Sequence, residues 1–530
     1  MDEPERWLLT PEERGNPATK LPAWTAGNLA EPLPHGATYF DRLVDEVEKL
    51  GPGDHLFFTD WRGDADERLR EDGPTVAELF TAAIKRGVCV RGLVWRSHMD
   101  RMSFSKEENR ALDVAIEHNG GEVILDQRVR RMGSHHQKFV VLRNHADQSR
   151  DVAFAGGIDL CHGRRDDAEH RGDPQAVPMA KAYGPRPPWH DVQLQIRGPA
   201  VHVLDTVFRE RWEDPNSPDE DHPLAWLHDK LHHTRLHAGS LPPQLPQPPE
   251  CGPHYVQTLR THPAIRPPYD FAPNGERSVA RGYTKAIKRA RRLIYLEDQY
   301  MWSAEVARLF ADALRANPRL HLVVIVPRVP DQDGAFAQRP QLIGRWQAIE
   351  MCRRAGEDRV HVFDVENHEG TPVYVHAKVC VVDDVWASVG SDNFNRRSWT
   401  HDSELSSAVL DTTRDLREPR DPAGTGDGAR TFARDLRLAL AREHLDLAPD
   451  GSEDEEVLDP GRFIDVLNGR AAALDAWHEG GRQGPRPAGR LREHRAERLP
   501  LVTRLWATPV YRLLDDPDGR PLRMRLRNAF

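Results

Sequence analysis

His376-Ala377-Lys378-Val379-Cys380-Val381-Val382-Asp383-Asp384-Val385-Trp386-Ala387-Ser388-Val389-Gly390-Ser391-Asp392-Asn393 carries more structural instruction than any other stretch of the chain. Residues 379–382 are a short unbroken apolar run, which predicts a strand buried on both faces. Asp383-Asp384 supplies a turn, and residues 386–389 the returning strand. Side chains two apart on a strand share a face. His376 and Lys378 therefore point together, an imidazole able to attack or carry a proton beside an ammonium able to hold a phosphate. The small Gly390-Ser391 step predicts close approach of a bound phosphate to the backbone, and Asn393 offers a donor to a phosphate oxygen.

A looser copy lies upstream. His136-Gln137-Lys138 precedes an apolar strand at 139–142, a returning strand follows at 152–155, and Gly156-Gly157-Ile158-Asp159 closes the unit. One HxK is a weak signal because so short a pattern arises by chance. Two of them, each before a valine-rich strand and each followed by a Gly-Gly or Gly-Ser step, are a strong one.

The alternation continues on both sides. In the first part, residues 54–61 read as a strand, 76–86 as an amphipathic helix closed by Gly87, and 88–95 as a strand. In the second, helices are expected at 283–292 and 305–317 and strands at 293–297 and 320–326. The expectation is an α/β protein of two pseudo-symmetric lobes, each a mixed sheet flanked by helices. Proline and polar gaps set the borders. Residues 215–253 contain Leu241-Pro242-Pro243-Gln244-Leu245-Pro246-Gln247-Pro248-Pro249, a stiff extended linker. Residues 418–428 read as a surface loop and 450–456 as an acidic solvated one. The parts are thus 1–250 with the first HxK, 251–447 with the second, and 448–530 as a basic extension.

Composition narrows the class. At 530 residues more than one core is expected, and 38% hydrophobic with 29% charged residues is ordinary for a globular protein. No run of about 18 uncharged apolar residues predicts a spanning helix, and Met1-Asp2-Glu3-Pro4-Glu5-Arg6 lacks the pattern of a secretory signal. Cys89 and Cys380 sit in valine-rich runs, and the five cysteines are odd in number and scattered. Cys89 and Cys380 read as small buried hydrophobes, and the cysteine pattern as a whole implies a reducing, cytoplasmic setting. A net charge of −10 argues against non-specific nucleic-acid binding by the whole surface, leaving local basic patches open.

The paired motifs resemble the two HKD motifs of the phospholipase D superfamily, and the first is similar to the HxK…GGIDL form of the eukaryotic-type branch. Pro188-Trp189-His190-Asp191-Val192, Ile294-Tyr295-Leu296-Glu297-Asp298-Gln299-Tyr300 and Asp402-Ser403-Glu404-Leu405 resemble further segments of that branch, so the likeness spans most of residues 24–447. The resemblance implies a catalytic group of His136, Lys138, His376, Lys378, Asp383, Asn393, Asp191 and Glu404. Around it, Gly156, Gly157, Asp159, Gly390, Ser391 and Gln299 would meet the substrate. It also implies that His136 attacks phosphorus, that His376 serves as acid and then base, and that Glu404 orients His136 while Asp191 orients His376. No metal or cofactor is required. The implied reaction is hydrolysis of a phospholipid headgroup at a membrane surface, with transfer to other alcohols as a side activity. Nucleic acid is not an obligatory partner, and the oligomeric state is open, a monomer being compatible. The other readings are a cardiolipin synthase-like transferase, a nuclease or other phosphodiesterase, and a binding protein with a disabled first half. Cardiolipin synthase-like enzymes usually carry N-terminal membrane helices, which this sequence does not display.

One departure motivates the last of these. Arg143 stands where the first motif should have aspartate, followed by an insertion at 144–150; Asp147 or Asp151 would be the compensating acid. Blander readings accompany other residues. His135 reads as a neighbour on the opposite strand face, and His190 as a support for Asp191. Trp189 and Trp399 read equally as substrate borders or as packing. His228-Asp229-Lys230-Leu231-His232-His233 reads as a solvated helix in preference to a metal site. From 482 to 530 arginines outnumber acids. The preferred reading is a tail packed across the halves with its arginines paired; the other is contact with an anionic membrane.

Overall fold

The computed structural model describes residues 3–97, 106–216, 238–496, 498–527 and 529–530; the cluster at 228–233 lies outside them. The first half contributes β1 (Thr25–Pro34), β2 (His55–Asp60), β3 (Cys89–Trp95), β4 (Glu122–Asp126), β5 (Phe139–Arg143), β6 (Val152–Gly156), β7 (Trp189–His190) and β8 (Val192–Arg197). The second contributes β9 (His254–His262), β10 (Glu276–Arg277), β11 (Leu293–Asp298), β12 (His321–Ile325), β13 (Val360–Val365), β14 (Tyr374–Val375), β15 (Lys378–Val382), β16 (Trp386–Gly390), β17 (Glu404–Asp411) and, from the extension, β18 (Leu491–Glu493).

The two halves repeat one plan. In sheet order the first runs β4-β3-β2-β5-β6-β8-β1 and the second β13-β12-β11-β15-β16-β17-β9. In each, the three outer strands are parallel and the rest antiparallel. The expectation of a separate sheet per lobe needs one adjustment. β1 and β9 pair antiparallel, so the halves fuse into one mixed 16-stranded sheet. Asn28 fastens the junction, donating to the His254 carbonyl at 3.1 Å.

Valine-rich strands are buried on both faces, as their unbroken apolar runs required. Val379 and Val381 face the core shared between the halves, while Cys380 and Val382 face a second core under the helices Ser278–Arg289 and Ala304–Ala316. Phe139 and Val141 likewise join the shared core, and Val140 and Leu142 a third, under Gly36–Glu48 and Val76–Lys85. Gly87 has φ +90°, the left-handed stop expected after the helix at 76–85. The proline-rich stretch is not a free spacer. The carbonyls of Pro242 and Pro246 accept from Arg209 and Arg143 at 2.7 and 2.5 Å.

The extension packs along the second half. β18 adds to the edge of β13, and Ala507 and Tyr511 are buried against Trp302 and Ile343. Arg490 pairs with Asp446 of the second half and Arg492 with Asp475 of the extension itself. Yet Leu501, Val502, Leu505, Leu513, Leu522 and Leu526 are 64% to 79% exposed. No helix among the described residues is long and apolar enough to cross a membrane.

Candidate active site

Two backbone junctions carry each HxK segment to the opposite half. β14, leading to His376, pairs in parallel with β7, and His376 N–H donates to the His190 carbonyl at 2.7 Å. In the symmetric position His135 bridges Ser403, and His136 N–H donates to the Ser403 carbonyl at 2.9 Å. The residue after each acceptor is an acid, Asp191 or Glu404. This register sets the acids against the histidines: His136 Nδ1 lies 2.9 Å from Glu404 Oε2, and His376 Nδ1 2.6 Å from Asp191 Oδ2. Each imidazole is held by the other half, leaving its Nε2 free of that contact.

The lysines stand beneath. Lys378 Nζ donates to the His376 carbonyl and lies 2.9 Å from His376 Nδ1; Lys138 Nζ donates to the His136 carbonyl at 3.1 Å and lies 3.5 Å from Asp159. The halves share one electrostatic environment. Burial, then Lys378, Arg164 and Lys138, hold the His376 imidazole well below its ordinary value. Burial brings Lys378 down to about 8, with Asp191 opposing and Lys138 adding to the shift. Burial would raise Asp159, but Lys138 and Arg164 outweigh it and bring the carboxyl to about 2. Its neighbour Asp60, buried and facing that charge, is pushed well above the usual carboxylate range, since two adjacent acids do not both ionise.

A cavity of about 280 Å³ is lined by His136, Glu404, Asn393, Trp61, Tyr300 and Trp302, and Leu514 of the extension also borders it. Asn393 is 4% exposed, and its Oδ1 has no protein partner. Trp189 lies 4.7 Å from the His376 ring, so it is a site residue. Trp399 stacks on Tyr283 and packs on Phe394, so it belongs to the core. His135 is fully buried beside Thr59, on the face opposite His136.

Other residues placed here by the motif do different work. Asp383 is not at the site. It sits in the turn beyond β15, accepting from the N–H groups of Arg291, Arg292 and Leu293 at 2.7–2.9 Å, and so clamps the start of β11. Gly156, Gly157 and Ser391 do not offer free N–H groups to a phosphate. Gly156 N–H bonds the Lys138 carbonyl, Gly157 N–H that of Val192 and Ser391 N–H that of Leu405. The glycines admit protein instead. A Cβ on Gly157 would stand 2.1 Å from Asp191 Oδ1, and one on Gly390 1.7 Å from Ser406 Oγ. Ser391 donates to Glu404 Oε2 at 2.6 Å, orienting it. Gln299 donates to the Tyr374 hydroxyl at 2.8 Å, which stands behind His376.

Arg143 is part of the framework of the first half. Fully buried, it pairs with Asp151 at 2.7 Å and Asp205 at 2.6 Å. The clamp that Asp383 provides is supplied from the partner strand. Asp54, just before β2, accepts from His145 N–H at 2.7 Å and from the Asn144 amide at 3.2 Å. Asp151, one of the two candidate compensating acids, takes Arg143 and Asn144 N–H; Asp147 only caps a short turn.

Arg164, unremarked in the sequence, lies over the Trp189 ring at 3.8 Å and within the field of His376 and Asp159. No motif marks it. Asp60 and Asp298 end the equivalent strands β2 and β11, a match that aligning the two halves would have exposed. Asp298 accepts from Phe394 N–H as Asp60 does from Leu160 N–H.

The family model "Phospholipase D" matches residues 66–240, and "Cardiolipin synthase, PLD-like domain" matches 283–417. The chain belongs to the phospholipase D superfamily. Phospholipase D beta 2 of Arabidopsis thaliana is 26% identical over 84% of this chain and 60% of its own length. Phospholipase D alpha 1 of Vigna unguiculata is 25% identical over 71% and 59%. The chain therefore spans about 60% of these relatives. A solved phosphatidylserine synthase of Haemophilus influenzae Rd KW20 overlaps with a TM-score of 0.49 at 13% identity, covering 76% of this chain and 86% of that one.

Proposed function

We propose that this chain is a phosphodiesterase that cleaves phospholipid headgroups to phosphatidic acid and an alcohol through a phosphohistidine. The observation that carries the reading is the reciprocal pairing of two histidines with carboxylates of opposite halves, with both lysines in the same electrostatic environment. Glu404 accepts a hydrogen bond from the Nδ1–H of His136, so Nε2 keeps its lone pair and attacks phosphorus. Lys138, Lys378 and Asn393 neutralise the phosphoryl oxygens. His376 protonates the departing headgroup alcohol at Nε2, then takes a proton from water or an acceptor alcohol, whose oxygen displaces His136 and breaks the P–N bond. The free protein holds His376 neutral; a bound phosphodiester opposes the field of Lys378, Arg164 and Lys138, so His376 gains its proton as substrate arrives.

A lipid surface fits the exposed aliphatic side chains of the extension, which also supplies Leu514 to the cavity wall. Purified protein is expected to release headgroup from phosphatidylcholine or phosphatidylethanolamine vesicles faster than from the same lipids with short chains dispersed as monomers. Added primary alcohol should divert part of the product to phosphatidyl alcohol. Cleavage of labelled DNA in place of lipid would replace this reading with the nuclease one. Product formed only with an alcohol acceptor would replace it with the transferase one, and no turnover of any substrate with the binding-protein one.

Charge on Lys378 sets an alkaline limit. A lysine with a folded value near 8 is cationic below that pH and neutral above it. kcat/KM is therefore expected to fall as pH rises through about 8. Lys378→Arg, which keeps its charge, should lose that limb even if its maximum is lower. An identical limb in the variant would assign it to another group.

A further inference from the structure

His190, next to Asp191 in the chain, belongs to a buried group that the reaction above does not use. Glu443 Oε2 lies 2.5 Å from His35 Nε2, and Glu443 Oε1 lies 2.8 Å from His170 Nε2 and 3.1 Å from His190 Nδ1. The three histidines are 3%, 0% and 0% exposed, with ring centroids 4.9–5.6 Å apart. Four distant positions supply the donors. His35 precedes the helix Gly36–Glu48, His170 is in a loop, His190 is in β7, and Glu443 comes from the second half on the helix Thr431–Leu445.

A second ring of contacts surrounds the first. His190 Nε2 lies 2.6 Å from Glu297 Oε2, and Glu297 also meets His444 Nε2 at 2.8 Å and the Tyr295 hydroxyl. His170 Nδ1 faces Asp166 at 3.6 Å. Taken as hydrogen bonds alone, the arrangement buries two carboxylates among histidines. No lysine or arginine among the described residues pairs with either Glu443 or Glu297. A divalent ion balances these carboxylates in place of protonated histidines and uses the imidazole lone pairs. The outer nitrogen of His190 then donates to Glu297, the usual support of metal-bound histidine, while that of His170 faces Asp166 at 3.6 Å and that of His35 has no partner among the described residues. The donor atoms all lie within 4.8 Å of one another. Tetrahedral zinc, with bonds of about 2.0–2.1 Å, spaces its donors about 3.4 Å apart, so Glu443, 2.5–3.1 Å from the imidazole nitrogens, withdraws by about 1 Å or less and nitrogens farther apart than that spacing draw together.

We propose that His35, His170, His190 and Glu443 bind one divalent transition-metal ion, zinc by their donor chemistry, as a clamp between the halves. It acts through position. His190 precedes Asp191 and receives the His376 N–H on its carbonyl, and His35 N–H donates to the Asp191 carbonyl at 2.9 Å. The ion therefore fixes the acid that orients His376 and takes no part in the phosphoryl steps.

Metal content reads this out whatever the lipid activity proves to be. Full-length protein purified in the presence of zinc and dialysed is expected to retain close to one zinc per chain by mass spectrometry. Glu443→Gln and His170→Gln should retain at least about tenfold less. Protein stripped with a chelator should lose thermal stability, regain it with Zn²⁺ and not Mg²⁺, and give the intense visible bands of tetrahedral Co²⁺ when cobalt is added. This arm uses the unaltered chain, so a variant that misfolds does not obscure the result. Zinc no higher in the wild type than in the variants, or stripped protein with unchanged stability and no tetrahedral cobalt spectrum, overturns the proposal.

Discussion

His136→Ala and His376→Ala are each expected to lower turnover by about 10³-fold or more, with melting temperatures close to the parent. Stability should hold because the carboxylates left behind keep partners. Glu404 still receives Ser391 Oγ at 2.6 Å, and Asp191 still accepts Val192 N–H at 2.9 Å and faces Lys378. The two losses should differ in kind. A diester with a nitrophenol leaving group needs no proton from His376, so His376→Ala should recover its first step and accumulate labelled phosphohistidine. His136→Ala should form none. Label recovered on residue 376, or either variant retaining full activity, would dismiss the assignment of roles.

Gly157→Ala is expected to cost about 10²-fold in kcat with the fold intact, an effect carried entirely through Asp191. The added methyl would stand 2.1 Å from Asp191 Oδ1 and 2.9 Å from its Cγ, so the carboxylate must leave His376 and the imidazole loses its fixed tautomer. Additivity makes the test specific. In an Asp191→Ala background the same glycine change should cost little more, because the group it displaces is already gone. Equal losses in both backgrounds would return Gly157 to the role its sequence suggests, a step past which a phosphate approaches the backbone.

That contrast marks where reading residues in order succeeds and where it stops. Strands at 379–382 and 139–142, the helix at 76–85 with its glycine stop, and the β11–β12 unit were legible because apolar periodicity and turn residues are local signals. The histidine–acid pairs were legible only through the family likeness, since 185 and 268 residues separate the partners. The glycine steps and Asp383 were misplaced because a motif records which residues recur together and not which contact each makes. Arg164, the Asp60–Asp159 pair and the fusion of the sheets at β1–β9 had no linear signature. Each depends on packing that brings distant segments together. Arg143 was read as a possible defect because the sequence does not reveal that Asp54, across the ladder, holds the turn instead.

The exchange of acids between halves has a consequence for how such a chain can change over time. A change at a turn such as the one holding Arg143 can be absorbed by contacts within its own half. Asp191 and Glu404 have no such freedom. Each is answerable to a histidine in the other half, so neither half can alter its acid without cost to the other.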